Sequence, residues 1–453
     1  NINMSNLWYP SVKQYPLTMG GMGGMVGGLN FQSVANESAW YNTLGTDTAG
    51  LERWYGVATD TDYIYTCGRS NAVGPGGTTG VVAKYDKDGV IQWQRSIGIS
   101  NNDHLAGIDV DSSGNIYTGG YQTANYYGTY IKYNSSGTLQ FDKDYYPTGY
   151  ACLGADTLVA KKDGGTAIYQ CGYITSTQGG YLIKLTDAGG YTWARQIRAP
   201  GNANLEMNAI CDDSSGNIYG TGHVRIGSDH HIFTVKYNSS GTLQWARELD
   251  AGTNASGQGI ATDSSDNVYV ASQNHQNGNG TIHKYNSSGT LQWQKEWINV
   301  SITGVRVNSR DEVFYTGQTS SGYRIFLTKL DTSGNVDWQA LWYSTDGSSN
   351  ETTDRNQLSL SGRSIYYAGG TTLGTDPALL LKLPTDGDKA GVMDSGNYVY
   401  GDWLYTLEGY TLNTMTYTDS AWTPGTEQSI TMNFDNLGGT GATTTLTSTT
   451  TDI

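Results

Sequence analysis

Charge is scarce in this 453-residue chain: Asp, Glu, Lys and Arg together make up only 15% of it. Lys and Arg number 26 against 41 Asp and Glu, for a net charge of −15. Without a concentrated basic surface a nucleic-acid backbone is excluded as a partner, and the excess of acid serves solubility. Long apolar runs are missing as well. None approaches the roughly 20 residues of a spanning helix, so membrane insertion is not expected. The first residues, Asn1-Ile2-Asn3, show neither the charged n-region nor the apolar h-region of a secretory signal. Four cysteines, Cys67, Cys152, Cys171 and Cys211, are too few for a disulfide framework at this length. Three of them sit inside strand patterns (YTCG, YQCG, AICDD), where a free Cys behaves as a small buried hydrophobe; a Cys152–Cys171 bridge is the alternative. Amphipathic helical patterns are absent too. With only eight Pro but 61 Gly, 34 Tyr and many Asn, Ser and Thr, the composition is that of short strands joined by tight turns.

What the chain does have is repetition. Lys284–Trp293 (KYNSSGTLQW) reads as a β-hairpin, with a strand ending at Tyr285, a polar turn, and a return strand carrying Trp293. Near-copies stand at 236–245 (KYNSSGTLQW) and 132–141 (KYNSSGTLQF), and weaker ones at 84–93, 184–193 and 329–338. A period of roughly fifty residues, each unit too small to bury a face alone, marks a repeat array.

Three columns run through the array. An apolar-aromatic pair recurs at Ile64-Tyr65, Ile116-Tyr117, Ile168-Tyr169, Ile218-Tyr219, Val268-Tyr269, Val313-Phe314 and Ile365-Tyr366. A strand-closing lysine recurs at Lys84, Lys132, Lys184, Lys236, Lys284, Lys329 and Lys382. The aromatic of the return strand recurs at Trp40, Trp93, Phe141, Trp193, Trp245, Trp293 and Trp338. The third column starts one step early and has no member after Lys382. A linear solenoid gains nothing from splitting a unit between its ends, whereas a ring that closes by pairing the Trp40 strand with the Lys382 strand removes its exposed edges. The fold read from this offset is all-β: a seven-bladed β-propeller of four-stranded blades, with an N-terminal strand completing the last blade. Within one unit, Gly107–Val110 is the expected inner strand, Ile116–Gly119 the second, Thr129–Tyr133 the third and Leu139–Phe141 the outer one.

The flanks differ from the repeats. Residues 1–37 hold the apolar, glycine-rich run Met19-Gly-Gly-Met22-Gly-Gly-Met25, suited to close backbone approach and irregular contacts; they are expected to form an anchoring or docking arm. The propeller occupies 38–387. Residues 388–453 form a Thr-rich segment ending TTTLTSTTTDI, in which apolar-polar alternation at 398–407 and 429–434 predicts a small C-terminal β appendage.

No motif carries chemistry strongly. Asp109–Asn115 resembles the front of a calcium loop, yet the position of Asp109 is filled by Ala58, Cys211, Ala261 and Arg306 in other units, and the twelfth position holds Gly120. The remaining Asp-Ser-Ser-Gly-Asn is turn chemistry. The seven lysines are expected to pack their stems along the blade with the ammonium in water. His223, His230 and His231 fall in blade 4, and His275 and His283 in blade 5, so that several approach one another on one rim; no metal-ligand spacing accompanies them. The Asn134-Ser-Ser, Asn238-Ser-Ser and Asn286-Ser-Ser sequons coincide with the repeated turn. No nucleophile–base pairing, phosphate loop or nucleotide fingerprint is recognisable. Accordingly no catalytic, cofactor-binding or metal-ligating residue is assigned and no cofactor is expected; the connections between second and third strands, such as 69–80, 121–128 and 225–231, are where recognition is expected.

The recurring GIxxDSSGNIYxxG followed by the KYNSSGTLQW hairpin resembles the bacterial β-propeller repeat family called SBBP, over residues 38–387. The Gly-rich arm and the TTTLTSTTTDI tail resemble virion proteins of tailed bacteriophages, especially marine ones. This resemblance implies a non-enzymatic structural or host-contact (adhesion) protein of a bacteriophage virion, its propeller a rigid platform. Its partners would be other virion proteins or copies of itself, held through the N- and C-terminal segments, and a host surface glycan or protein; its location would be the virion. The alternative is a secreted or cell-surface bacterial propeller with a lectin-like role.

Overall fold

The computed structural model describes residues 52–386, with short breaks, together with the backbone of a strand at Trp40–Gly45 and of seven strands between Gly391 and Asp452. The chain divides into two compact units, Asn1–Asn36 and Glu37–Ile453. The first unit, with nearly all of the expected arm, lies outside the described residues; the second is a seven-bladed propeller.

Each of the first six blades is four consecutive strands paired antiparallel. Blade 1 is Glu52–Thr59, Tyr63–Ser70, Thr79–Asp86 and Ile91–Ile97. Blade 2 is Asp103–Val110, Ile116–Gln122, Tyr127–Tyr133 and Leu139–Pro147. Blades 3 to 6 repeat this plan from inner strands Cys152–Ala160, Leu205–Asp212, Ala255–Thr262 and Val300–Val307. Blade 7 takes Leu358–Ser361, Ser364–Thr371 and Ala378–Pro384 from the end of the array and its fourth strand from Trp40–Gly45, with Trp40 opposite Lys382. The strands run several residues longer than the sequence pattern implies, because a blade's edges continue past the residues that define the columns.

The three columns form a single cross-strand row in every blade. Tyr65 faces Lys84, which faces Trp93. The row recurs as Tyr117–Lys132–Phe141, Tyr169–Lys184–Trp193, Tyr219–Lys236–Trp245, Tyr269–Lys284–Trp293, Phe314–Lys329–Trp338 and Tyr366–Lys382–Trp40. The ammonium lies over the tyrosine ring, at 4.9 Å in Lys132 and Lys236 and 4.8 Å in Lys284, a cation–π contact.

These rows also join blade to blade. Lys84 Nζ and Trp93 Nε1 both donate to the Ser135 carbonyl of the next blade's outer turn, at 3.0 and 3.3 Å. Lys184 and Trp193 do the same to Ser239 at 3.2 and 3.3 Å, and Lys236 and Trp245 to Ser287 at 3.3 and 3.1 Å. Lys382 reaches the Lys87 carbonyl at 3.3 Å and so links blade 7 to blade 1. The ammonium groups therefore do not sit in water as the sequence suggests. Carbonyls at the blade junction draw them in, and Lys84 and Lys382 are only 6% and 7% exposed. The turn itself must be glycine at one place: Gly289 has φ +78°, and a Cβ there would lie 2.8 Å from Trp245 of the preceding blade.

Apolar burial follows the same junctions. Seven clusters each bridge neighbouring blades, one packing Tyr169, Leu182 and Ile197 of blade 3 against Met207, Ile218 and Phe233 of blade 4. Each large buried side chain contributes on the order of 2–3 kcal/mol. Cys67, Cys152 and Cys171 are free and buried in these layers, their thiols directed at the carbonyls of Leu105, Tyr145 and Met207.

The C-terminal segment is β as expected, but its strands are distributed around the ring. Tyr398–Asp402 adds to the outer edge of blade 6, Leu412–Asn413 to blade 5, Thr418–Ala421 to blade 4, Thr426–Ser429 to blade 3 and Met432–Asn436 to blade 2. Thr447–Asp452 then pairs with the Trp40 strand of blade 7. Among the described residues only blade 1 lacks such an added strand.

Candidate ligand-binding basin in the ring

An up-and-down blade puts the first–second and third–fourth turns on one face and the second–third connections on the other. The turn face is regular. Asp111 Oδ1 accepts the amides of Ser113 and Asn115, both at 2.9 Å, while its Oδ2 takes Asn115 Nδ2 at 2.8 Å and the Tyr117 hydroxyl at 3.1 Å. Asp213 and Asp263 repeat this arrangement. The loop-like Asp109–Asn115 stretch is thus a strand end plus a capped turn. Asp109, Ala58, Cys211, Ala261 and Arg306 all line the channel on this side, in a cavity of about 290 Å³.

The opposite face is built differently. Each of the first six inner strands carries a β-bulge at the same level, between Trp54 and Gly56, Leu105 and Gly107, Gly154 and Asp156, Met207 and Ala209, Gly257 and Gly259, and Ile302 and Gly304. A bulge frees one residue from the ladder and re-aims it. The freed residues are Tyr55, Ala106, Ala155, Asn208, Gln258 and Thr303. All but Asn208 line two adjoining cavities at the head of the channel. Asn208 lies just behind, its amide donating to Ser256 Oγ at 3.0 Å and the Gly257 carbonyl at 2.9 Å.

The larger cavity is about 530 Å³, within the roughly 300–1,000 Å³ of small-molecule sites. Its lining is mostly hydroxyl, amide and imidazole, including Ser256, Gln258, Gln273, Ser301, Thr303 and Gln318, with one carboxylate, Glu206, and one guanidinium, Arg355. His223, His230 and His275 enter it together, as the sequence suggests, with the rings of His223 and His230 stacked at 4.5 Å. His231 and His283 do not join them. His231 Nδ1 is 2.6 Å from Glu248 Oε1, and His283 is fully buried in the third strand of blade 5, between the blades. His231 follows the cavity-lining His230 directly, so the pleat turns it away, whereas the strand Asn279–Tyr285 that holds His283 sends no residue into either cavity. Among the described residues no three His, Cys, Asp or Glu side chains are grouped as a metal ion requires.

His223 Nδ1 lies 3.4 Å from Ser256 Oγ and its Nε2 4.0 Å from Glu206 Oε1. Burial first, then His230, Arg355 and His275, push its pKa down to about 3, so the imidazole is neutral at pH 7. His275 is lowered likewise, by burial and by Arg355. Arg355 ties the basin together: it lines both cavities, and its Nε donates to Gln258 Oε1 at 3.2 Å.

The smaller cavity, about 240 Å³, is lined by Tyr55, Arg69, His104, Tyr121, Arg355 and the small residues Ala106, Gly154 and Ala155. Of the expected recognition connections, 69–80, 121–128 and 225–231, each sends a residue into the basin: Arg69, Tyr121 and His230. The bulge residues were not singled out from sequence. Their signal is a small residue before a β-branched one, as in Gly56-Val57, Gly107-Ile108, Gly259-Ile260 and Gly304-Val305.

No family model matches the sequence of this chain, and no curated protein matches it. Solved structures resemble it only distantly. The β-propeller domain of the Trilobed protease from Pyrococcus furiosus is 6% identical, with 75% of this chain and 96% of that one covered, at a TM-score of 0.45. Sqt1 of Chaetomium thermophilum is 9% identical, with 77% and 98% covered, at a TM-score of 0.42. An ulvan lyase is 11% identical, with 77% and 95% covered, at a TM-score of 0.46. Nothing about activity passes from these proteins to this chain.

Proposed function

We propose that this chain is a host-contact protein of a bacteriophage virion, its propeller a rigid platform that binds a surface glycan in the basin at the head of the channel. The observation that carries the reading is the set of aligned bulges, which aim Tyr55 into the smaller and Gln258 and Thr303 into the larger of two adjoining cavities, lined by imidazoles, amides and Arg355. Fixed hydroxyl, amide and imidazole groups beside aromatic rings suit a polyhydroxylated ligand, and the site stands on strands of a rigid ring. The SBBP-like repeats and the virion-like flanks support the virion setting. In it, residues 1–37 serve as the anchor, and the C-terminal strands, which form most of the ring's outer edge, meet neighbouring virion proteins or other copies.

The basin is read as binding rather than catalytic. A His223 imidazole held to about 3 is a weak base for the Ser256 hydroxyl at neutral pH. A secreted or cell-surface lectin-like protein would use the same basin, and location separates the two readings. The test is twofold: labelling native phage particles with an antibody to the propeller, and screening the full chain on a glycan array. Particle labelling with saccharide binding that Gln258→Ala or Thr303→Ala weakens at least tenfold is the expected result. Binding without particles points to the lectin-like alternative, and turnover of a small substrate or absence of any saccharide binding overturns the proposal.

A further inference from the structure

The smaller cavity has a chemistry unlike the rest of this acidic chain. Two guanidinium groups, Arg69 and Arg355, stand on its wall, and none of its described lining residues is acidic. Arg69 is held in place from two sides. Its Cζ lies 5.6 Å from the centroid of the Tyr55 ring, and its Nη1 lies 3.4 Å from His104 Nδ1. Its Nε is buried and has no hydrogen-bond partner among the described residues. This guanidinium N–H is a donor left without an acceptor in a protein of net charge −15, although buried donors are normally paired.

The neighbouring groups define the rest of the ligand. Guanidinium only donates, so His104 Nδ1 accepts from Arg69 and its proton sits on Nε2. Burial, and then Arg69, lower His104 to about 4, which keeps the ring neutral. His104 is stacked flat on Tyr121, centroids 4.9 Å apart with 9° between the planes, and the Tyr55 ring is tilted against it at 6.3 Å. Three partly exposed rings beside an arginine offer apolar faces for the C–H side of a sugar ring and a fork for two coplanar oxygens. Ala106, Gly154 and Ala155 supply the empty space, and Arg355 opens it onto the hydroxyl- and amide-lined larger cavity.

We infer that the Arg69–His104–Tyr121 cavity is a subsite for the carboxylate-bearing unit of an acidic saccharide, with neutral units of the same chain lying in the larger cavity. This deepens the glycan-binding reading above and rests on it. A free acidic peptide offers the same carboxylate, but it lacks hydroxyls for the larger cavity.

The experiment uses the full chain and titration calorimetry with three probes: an oligogalacturonate, the same oligomer after reduction of its carboxyl groups, and a poly-glutamate peptide of similar charge. Expected is at least tenfold tighter binding of the oligogalacturonate than of its reduced form. Arg69→Gln should weaken the oligogalacturonate at least tenfold and the reduced oligomer far less, so that the preference disappears, and Arg69→Lys should restore part of it. Thermal melts confirm that both variants fold. Equal binding of the two oligomers, or a preference that survives Arg69→Gln, overturns the subsite while glycan binding stands. Peptide binding as tight as the oligogalacturonate's also overturns it. Failure of both saccharides to bind removes the glycan reading together with the subsite.

Discussion

Trp40 stands directly across from Lys382, in the register that sets Trp93 opposite Lys84 and Trp338 opposite Lys329. The last blade is therefore completed from the beginning of the chain. A chain that begins at Thr46 loses this strand and leaves Thr447–Asp452 without its partner. It should lose several kcal/mol, lowering Tm by roughly 10 °C. Calorimetry on the shortened chain checks this, and a Tm equal to that of the full chain would refute the closure.

His283 has both ring nitrogens buried without hydrogen-bond partners among the described residues, where sister blades place Ala83, Ile131, Ile183 and Val235. Burial pushes it down to about 3, whereas the unfolded imidazole titrates near 6.5. The folded pKa is the lower one, so stability is full above about pH 6.5 and declines as pH falls toward 3. His283→Val should raise Tm at pH 7, by about 1 kcal/mol of stability, and flatten the decline between pH 6.5 and 4. An unchanged pH profile would show that this imidazole does not contribute to it.

Glu312 behaves in the opposite chemical sense. Burial opposes its ionisation, but hydrogen bonds from Lys329, Asn308 and Arg310 outweigh it and bring the carboxyl down to about 2. Its contribution is present above about pH 4.5 and is lost as pH falls through 2. Glu312→Gln should cost about 1–2 kcal/mol at pH 7 and make the acid limb below pH 4.5 shallower, read by denaturant unfolding at stepped pH. A loss that is the same at pH 2 and pH 7 would mean that the charge plays no part.

Gly289 and Gly227 both have positive φ, +78° and +64°, yet only Gly289 faces a neighbour, Trp245. Gly227→Ala should therefore cost about 1 kcal/mol of backbone strain. Gly289→Ala should cost clearly more, on the order of 2–4 kcal/mol, since the blade junction must also shift. Equal losses in urea titrations would remove the steric role assigned to Trp245.

Ending the chain after Gly387 strips the added strands from six blades. The ring should still unfold cooperatively, but uncovered outer edges invite strand-to-strand association. Light scattering should show concentration-dependent oligomers. A truncated chain that stays monomeric, with the full chain's Tm, would show the added strands to be dispensable covers.

Much of the fold was legible because its columns are side-chain requirements. A lysine must reach the next turn, a tryptophan must cover it, and a glycine must sit beneath the indole, so Lys236, Trp245 and Gly289 recur in step. The distributed C-terminal strands were not legible beyond being β. A strand added to an edge through main-chain bonds asks little of its side chains, and Leu412–Asn413 supplies only two residues. The basin was half legible. His223, His230 and His275 pointed to one rim, but Arg355 lies in an irregular stretch without a counterpart in the columns. His283 shares blade 5 with His275 but stands within the third strand, which sends no residue into the basin, and grouping by blade does not separate the two.

The junction donors of this ring address main-chain oxygens. Lys84, Lys184 and Lys236 each meet the carbonyl of a serine whose hydroxyl they do not use, and Lys132 meets that of Asp187 in a turn of different sequence. Every residue type carries the same carbonyl, so the joint is indifferent to what its neighbour's turn spells. The outer hairpins are in this respect interchangeable parts: those of units 2, 4 and 5 can be exchanged, or their turns rewritten around the glycine, with the lysine joint kept. The outer turns are thereby free to differ in sequence, as that of Asp187 does, while the blades stay joined.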